Sequence, residues 1–251
     1  MARKTKEKVL VLRTCRADMS SYNRFKWPES GYVEAPDWEP TDECGNGLHG
    51  WLWGEGDGSL GNWSFDAKWL VVEVDADRVI DLEGKVKFPS GNVVFCGDRK
   101  GATGYILERA PGKNVIGATV TAGDYGAATV GYRGEAVAGD FGYASAGEYG
   151  SAVAGFKGVA VVRDYGVAMA GSYGTATAGY HGRAIVGDYG IAMAERGGYV
   201  QAGLEGHLIL KYFNDQGALR LRVAKVGAEG ILPNITYQLD EQGNFIQGGA
   251  D

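Results

Sequence analysis

The chain has 251 residues, 45% of them hydrophobic, with a net charge of −6, 42 glycines and only 6 prolines. This composition excludes a disordered chain and a collagen-like fibre, and it lacks the basic footprint of a general nucleic-acid binder. Three cysteines without a CxxC pair, and the lack of an apolar run long enough to cross a bilayer, predict a cytoplasmic protein without a membrane span.

Residues 1–114 are predicted to form a small α+β or all-β domain. Apolar runs at Val9 to Leu12, Trp69 to Val74 and Val93 to Phe95 have the length and composition of strands. A loop-rich stretch dense in Trp, Gly, Pro and Asp lies between the first two runs. Because a long irregular loop inside a compact domain is often functional, a functional site is expected in this stretch.

The candidate binding residues in this stretch are Cys44, His49, Trp51, Trp53 and Trp63. The tryptophans fit either core filling, which is the default, or a ligand pocket. Cys44 and His49 suggest a thiolate–base pair or, with Cys15 and Cys96, a zinc site. A Gly-rich loop fixes no catalytic geometry and the spacing matches no common zinc module, so structural roles are favoured. We therefore predict no catalytic residue, metal or cofactor, and favour a non-enzymatic protein.

An octapeptide repeat with the template G-x-x-G-x-A-x-(A/V) runs through eleven units, from Gly123 to Leu210. The second glycine occurs in every unit, whereas Arg163 and Glu195 replace the first in two units. Alternating small apolar and variable residues predict a short strand in each unit, and the glycines predict a corner. One such unit cannot bury its own face, so the repeat predicts a stacked β-solenoid over residues 115–210.

The residues at the variable positions of the octets indicate how many units form one coil. Units three apart agree best, which predicts a three-sided coil of about 24 residues, or three octets. A two-sided coil of two octets is the alternative. Residues that recur at the three-octet spacing are predicted to form ladders along the stack. The aromatic ladders are Tyr125, Tyr149 and Tyr173, and Phe141, Tyr165 and Tyr189. The polar ladders are Asp140, Asp164 and Asp188, and Arg133, Lys157 and His181.

The favoured interpretation of these ladders is structural. Stacked aromatic rings stabilise neighbouring coils, and Asp is a turn former that accepts nearby backbone N–H groups. An aromatic docking surface and a cation-binding or basic-partner-binding column are the alternatives.

Residues 211–251 depart from the octet pattern and are predicted to form a small β cap. Leu219 to Val226 alternates apolar and basic residues, as a half-exposed strand would. Ile235 to Leu239 and Gly243 to Ile246 fit a short hairpin. Such a cap would cover strand edges that otherwise invite polymerisation.

The whole chain resembles a family of phage and phage-related bacterial proteins of unassigned function. The matching N-terminal positions are Trp27-Pro28, Gly31, Cys44, Gly47-Leu48-His49, Trp69 to Asp75 and Lys85. The matching C-terminal positions are Val226-Gly227, Glu229-Gly230-Ile231, Pro233, Thr236-Tyr237 and Gly243-Asn244-Phe245. The resemblance implies an N-terminal domain joined to an octapeptide-repeat solenoid and a short β tail, and it supplies no activity.

The octets are also similar to the A-G-Y-G-S-x-x-T repeats of ice-nucleation proteins. Only about eleven units are present, and Thr175 and Thr177 do not recur as a column, which argues against an ice-binding face.

The leading functional hypothesis is a non-catalytic phage-type protein that binds a host or phage protein, or a copy of itself, in the host cytoplasm. Inhibition of a host defence system is one form of it. One alternative is a small-molecule-binding or enzymatic N-terminal domain carried on the solenoid. Another is a self-assembling structural protein. Membrane and nucleic-acid partners are not expected.

Overall fold

The computed structural model describes residues 7–214 and 216–248. Its contacts divide the chain into two compact units, Met1–Ala118 and Thr119–Asp251. The predicted mostly-β architecture is confirmed: a small N-terminal domain with one helix, a β-solenoid and a small C-terminal β region. The boundaries predicted at residues 114 and 210 stay a prediction.

Seven antiparallel strands form the sheet of the N-terminal unit. They are β1 (Lys8–Cys15), β2 (Gly31–Glu34), β3 (Leu48–Leu52), β4 (Lys68–Asp75), β5 (Ile80–Asp81), β6 (Val86–Phe88) and β7 (Ser90–Gly97). Their order in the sheet is β2-β7-β4-β1-β3-β6-β5. The helical segments are three short 3-10 turns, Tyr22–Arg24, Gly58–Leu60 and Ala76–Arg78, and helix α1, Arg99–Arg109. No helix among the described residues is long and apolar enough to cross a membrane.

Strands β1 and β4 are the centre of this sheet. They pair along their whole length, from Lys8 opposite Asp75 to Cys15 opposite Lys68. Both read as apolar runs rather than alternating patterns, because a central strand is covered on both faces. Helix α1 packs against β4 and β7 and buries Ile106 completely.

Two parallel sheets form the solenoid, and the chain alternates between them. The first solenoid sheet contains β8 (Thr119–Thr121), β10 (Glu135–Ala138), β12 (Ser151–Ala154), β14 (Val167–Ala170), β16 (Arg183–Val186) and β18 (Tyr199–Gln201). The second solenoid sheet contains β9 (Ala127–Thr129), β11 (Tyr143–Ala146), β13 (Val159–Val162), β15 (Thr175–Ala178), β17 (Ile191–Ala194) and β19 (His207–Phe213).

The pairing register shows that one coil contains two octets. Ala136 pairs with Ala152, and Ala144 pairs with Ala160. The predicted three-sided coil of three octets is therefore wrong, and the two-sided alternative is correct. Six coils at roughly 4.8 Å each give a stack of about 29 Å. Two sheets that face each other can close over alanines, whereas a triangular interior would leave space that alanine cannot fill.

The second glycine of each octet has a steric cause. At Gly158, an added Cβ would lie 2.7 Å from the Ala154 Cβ and 3.0 Å from the Gly155 carbonyl oxygen. The second glycines from Gly142 to Gly206 all meet the residue four positions earlier in the same way. The coil therefore has no room for a side chain at this position, whatever the outward residues are.

The aromatic residues stack along two corners, at a spacing of two octets. Corner A contains Tyr125, Phe141, Lys157, Tyr173, Tyr189 and Glu205, and corner B contains Arg133, Tyr149, Tyr165 and His181. All ten have positive φ, between 52° and 60°. The rings of Tyr149 and Tyr165 stack with centroids 5.0 Å apart, and those of Tyr173 and Tyr189 with centroids 4.9 Å apart.

The ladders predicted at a spacing of three octets are consequently wrong, because a shift of three octets moves from one corner to the other. Arg133, Lys157 and His181 do not form a column of their own. Lys157 Nζ lies 5.7 Å and 5.8 Å from the ring centroids of Phe141 and Tyr173 in corner A. Arg133 and His181 lie against tyrosines of corner B instead.

The three predicted aspartates each accept a backbone N–H from the next coil, and Asp164 lies at the opposite corner from the other two. The distances are 2.8 Å from Asp140 Oδ1 to Phe156 N, from Asp164 Oδ1 to Tyr180 N and from Asp188 Oδ1 to Leu204 N. The aspartates therefore act as turn residues, because their side-chain oxygens accept backbone N–H groups at the corners.

Replacing Asp164 by alanine is expected to lower the free energy of unfolding by about 1 kcal/mol, because the partly buried Tyr180 N–H loses its acceptor. Urea unfolding followed by circular dichroism measures the change. Asp164→Asn is the matched control, since its side-chain oxygen still accepts the bond and most of the stability should remain. Equal losses in the two variants would contradict this role.

Antiparallel strands cover the end of the solenoid. They are β20 (Leu219–Lys225), β21 (Tyr237–Leu239) and β22 (Phe245–Gln247). Strand β20 pairs with β19, and β21 pairs with β18 and β22. Strand β20 is not half-buried as predicted: Leu219, Leu221 and Val223 are all more than half exposed, and the basic residues between them are exposed too.

Candidate functional site

Two of the three tryptophans proposed as binding residues donate to backbone carbonyl groups of the loop after β3. Trp51 Nε1 donates to the Asp57 carbonyl oxygen at 2.9 Å, and Trp63 Nε1 donates to the Gly58 carbonyl oxygen at 2.8 Å. Trp53 packs against the apolar core of the sheet. The indole N–H groups of Trp51 and Trp63 are therefore committed to fixing the loop.

The cysteines are all free thiols. Cys15 is buried, and this burial raises its pKa to about 11, so the thiol stays protonated near neutral pH. Cys44 is exposed, and its Sγ lies 3.0 Å from Lys85 Nζ. Within residues 7–214 and 216–248, no three His, Cys, Asp or Glu side chains are grouped as metal ligands.

His49 lies instead in a pocket of about 290 Å³ in the N-terminal unit. Strands β1 and β3 and the segments flanking β2 form its walls. Its principal lining residues are Arg13, Phe25, Trp27, Asp37, Gly47 and His49. The other four predicted binding residues are not part of this lining. The wall contains the aromatic rings of Phe25 and Trp27 together with a guanidinium and an imidazole.

Arg13 is the unusual residue of this pocket, and it is not among the residues predicted from the sequence. Its Nε is fully buried with no hydrogen-bond partner, its Nη1 donates to the His49 carbonyl oxygen at 3.2 Å, and its guanidinium lies 5.6 Å from the Trp27 ring. No described carboxylate forms an ion pair with it. Burial lowers the pKa of Arg13. The available signal was one basic residue inside the apolar strand Lys8–Cys15.

His49 presents a second buried polar atom, since its Nε2 also lacks a hydrogen-bond partner. Burial, followed by the nearby positive charges of Lys85, Arg13 and Lys87, lowers the pKa of His49 to about 4. The imidazole is therefore neutral at physiological pH and can either donate or accept one hydrogen bond at Nε2.

The His49 pKa predicts acid sensitivity of the N-terminal unit. The folded-state pKa of about 4 is below the ordinary value of 6.5, so stability is complete above pH 6.5 and is lost as the pH falls toward 4. Urea unfolding of this unit, followed by tryptophan fluorescence at pH 7 and pH 5, should show this loss. In His49→Gln the loss between the two pH values should be smaller; an unchanged loss would assign the acid sensitivity to other groups.

The second solenoid sheet has an uncharged outer face between β9 and β17. Two columns of outward side chains run along it. The first column is Ala127, Tyr143, Val159, Thr175 and Ile191, and the second is Thr129, Ser145, Val161, Thr177 and Met193. The first solenoid sheet differs, because its outer face carries Glu135 and Arg183.

The fold therefore defines a small antiparallel β domain followed by a two-sided β-solenoid with two octets in each coil. A family described as "Domain of unknown function (DUF7666)" matches residues 9–108. The chain is 47% identical over 104 residues to an ice nucleation protein of Pseudomonas fluorescens, which is 41% of this chain and 9% of that protein. It is 42% identical over 107 residues to one of Xanthomonas campestris pv. translucens, which is 42% of this chain and 7% of the relative. No solved structure matches.

These comparisons correct the functional predictions. The relatives are ice nucleation proteins of bacteria, so the phage assignment and the phage-type protein-binding or scaffolding function are wrong. The predicted cytoplasmic location, including the host cytoplasm for a phage protein, is also wrong, because it conflicts with the similarity to ice nucleation proteins. The combination of an N-terminal domain with solenoid repeats is supported. The matched region spans less than a tenth of the length of these two relatives. Partners of the chain stay a prediction.

Proposed function

We propose that the solenoid orders water on the outer face of the second solenoid sheet and thereby promotes ice formation. The observation that carries this proposal is the uncharged, two-column face that runs over the five strands β9 to β17. Similarity to proteins named ice nucleation proteins supports it.

The physical reason lies in the regularity of the face. Parallel strands place equivalent side chains roughly 4.8 Å apart along the stack, so methyl and hydroxyl groups recur at nearly constant intervals. Ions bind their hydration water tightly in their own geometry, whereas small uncharged groups leave neighbouring water free to form an extended lattice. Alanines beneath the face keep the two sheets closely packed and the strands in register.

Two threonines that do not recur as a column in the sequence are part of this face. Thr175 and Thr177 lie on the fourth of the five strands of this face, between Val159 and Val161 on one side and Ile191 and Met193 on the other. A column of threonines is absent from the face, as the sequence indicated. The proposal therefore rests on a mixed apolar and hydroxyl surface, and the short stack predicts weaker nucleation than in relatives many times longer.

Droplet freezing tests the proposal. Droplets of buffer with the full chain are expected to freeze at a higher median temperature than buffer alone. Val161→Lys, on the second solenoid sheet, should remove this difference, because an ammonium group then interrupts the uncharged face. Val153→Lys is the matched control, since Val153 occupies the same strand position on the first solenoid sheet.

Circular dichroism must show that both lysine variants retain the fold. If the wild-type droplets freeze with the buffer, or if Val153→Lys reduces nucleation as much as Val161→Lys, the proposed face is not the active surface.

A further inference from the structure

The guanidinium of Arg13, in the wall of this pocket, is partly buried and forms no ion pair with a described carboxylate. Charges removed from water are normally paired in proteins. Arg13 has a carbonyl acceptor at Nη1 and an aromatic neighbour, but its Nε is buried and unpaired. The part of the guanidinium that faces the pocket therefore has free hydrogen-bonding capacity for a ligand.

The surrounding groups restrict the chemistry of that ligand. A guanidinium binds carboxylate and phosphate oxygens in a planar, forked geometry. The neutral His49 offers one further hydrogen bond at its unpaired Nε2. Phe25 and Trp27 contribute an aromatic wall, and their rings meet edge to face with centroids 5.6 Å apart. The pocket of about 290 Å³ has room for a small planar group.

The acidic residue of the lining does not neutralise the cation. Asp37 lies exposed at the rim, where solvent screens its charge, and its Oδ1 accepts the Gly47 N–H at 3.1 Å. The other charged groups near His49 are positive, namely Lys85 and Lys87. The interior of the pocket is therefore electropositive.

We propose that this pocket binds a small organic anion, whose carboxylate or phosphate oxygens accept from Arg13 and whose planar apolar body lies against Phe25 and Trp27. The site belongs to the N-terminal unit alone, and it is independent of the ice-ordering surface proposed for the solenoid.

Calorimetric titration of the full chain tests the proposal with three probes of similar size. Benzoate and phenyl phosphate distinguish the carboxylate from the phosphate, and benzamide is the uncharged control. At least one anion is expected to bind and benzamide is not. Arg13→Met should weaken anion binding about 30-fold or more, because the ionic hydrogen bonds are lost.

Two further variants make the result decisive. Arg16→Met is the matched control, because Arg16 is exposed on the same segment and is not part of this pocket; its affinity should equal that of the wild type. Arg13→Lys keeps the charge but loses the Nε–H and the fork, so a loss of about tenfold is expected. Unchanged affinity in both Arg13 variants, or binding of neither anion to the wild type, would overturn the proposal.

Discussion

Replacing Ala160 by leucine is expected to unfold the centre of the solenoid. Ala160 is fully buried and pairs with Ala144 and Ala176 in the adjoining coils. Three additional carbons have no space between two sheets packed on alanine, so the sheets must separate. Overpacking of this kind costs about 3 kcal/mol, and more where the backbone cannot shift.

The measurement is chemical unfolding of the full chain followed by two signals. All six tryptophans lie within residues 1–118, so their fluorescence reports the N-terminal unit, whereas far-ultraviolet circular dichroism reports both units. The dichroism transition should move to lower denaturant while the fluorescence transition does not. Val159→Leu is the control, because Val159 points outward on the same strand and its change should stay within about 0.5 kcal/mol. Equal effects of the two variants would refute the thin alanine core.

Replacing Gly50 by alanine is expected to destabilise the N-terminal unit and not the solenoid. An added Cβ at Gly50 would lie 2.4 Å from Val11 Cγ1 and 2.5 Å from the Leu12 carbonyl oxygen. The carbonyl belongs to the backbone of β1, so relief requires β1 and β3 to move apart. We expect a loss of about 3 kcal/mol that moves the fluorescence transition to lower denaturant, while the part of the dichroism signal that comes from the solenoid unfolds as in the wild type.

The matched control for this variant is Gly104→Ala in the same unit. Gly104 lies inside helix α1, and an added Cβ there meets no atom within 4 Å. Alanine should stabilise the helix by up to about 1 kcal/mol relative to glycine. If Gly50→Ala were as stable as the wild type, the close approach of β1 and β3 would be incorrect.

The solenoid itself could be predicted from the sequence, because its cause is local. Each octet alternates inward alanine with outward residues, and the second glycine leaves no space for a side chain. The period of the coil could not be predicted, since the template is the same for two and three octets per coil. It depends on how closely two sheets approach, which is a property of packing.

The candidate pocket could be predicted from the sequence only in part. His49 could be selected from its residue type, but Arg13 looked like an isolated basic residue in an apolar strand. The pocket forms only when Arg13, Trp27, Asp37 and His49, which are distant in sequence, are brought together by the sheet.

Likewise, the uncharged face of the second solenoid sheet exists because successive octets alternate between two sheets. In the sequence, the charged and uncharged outward positions follow one another along the chain. The two-octet coil places both charged outward positions, Glu135 and Arg183, on one face and leaves the other face, with Thr175 and Thr177, without charge. The sequence by itself thus determined the repeating strand and its corner, through side-chain size and backbone sterics. Tertiary structure decided which residues share a surface, because that depends on the register between coils.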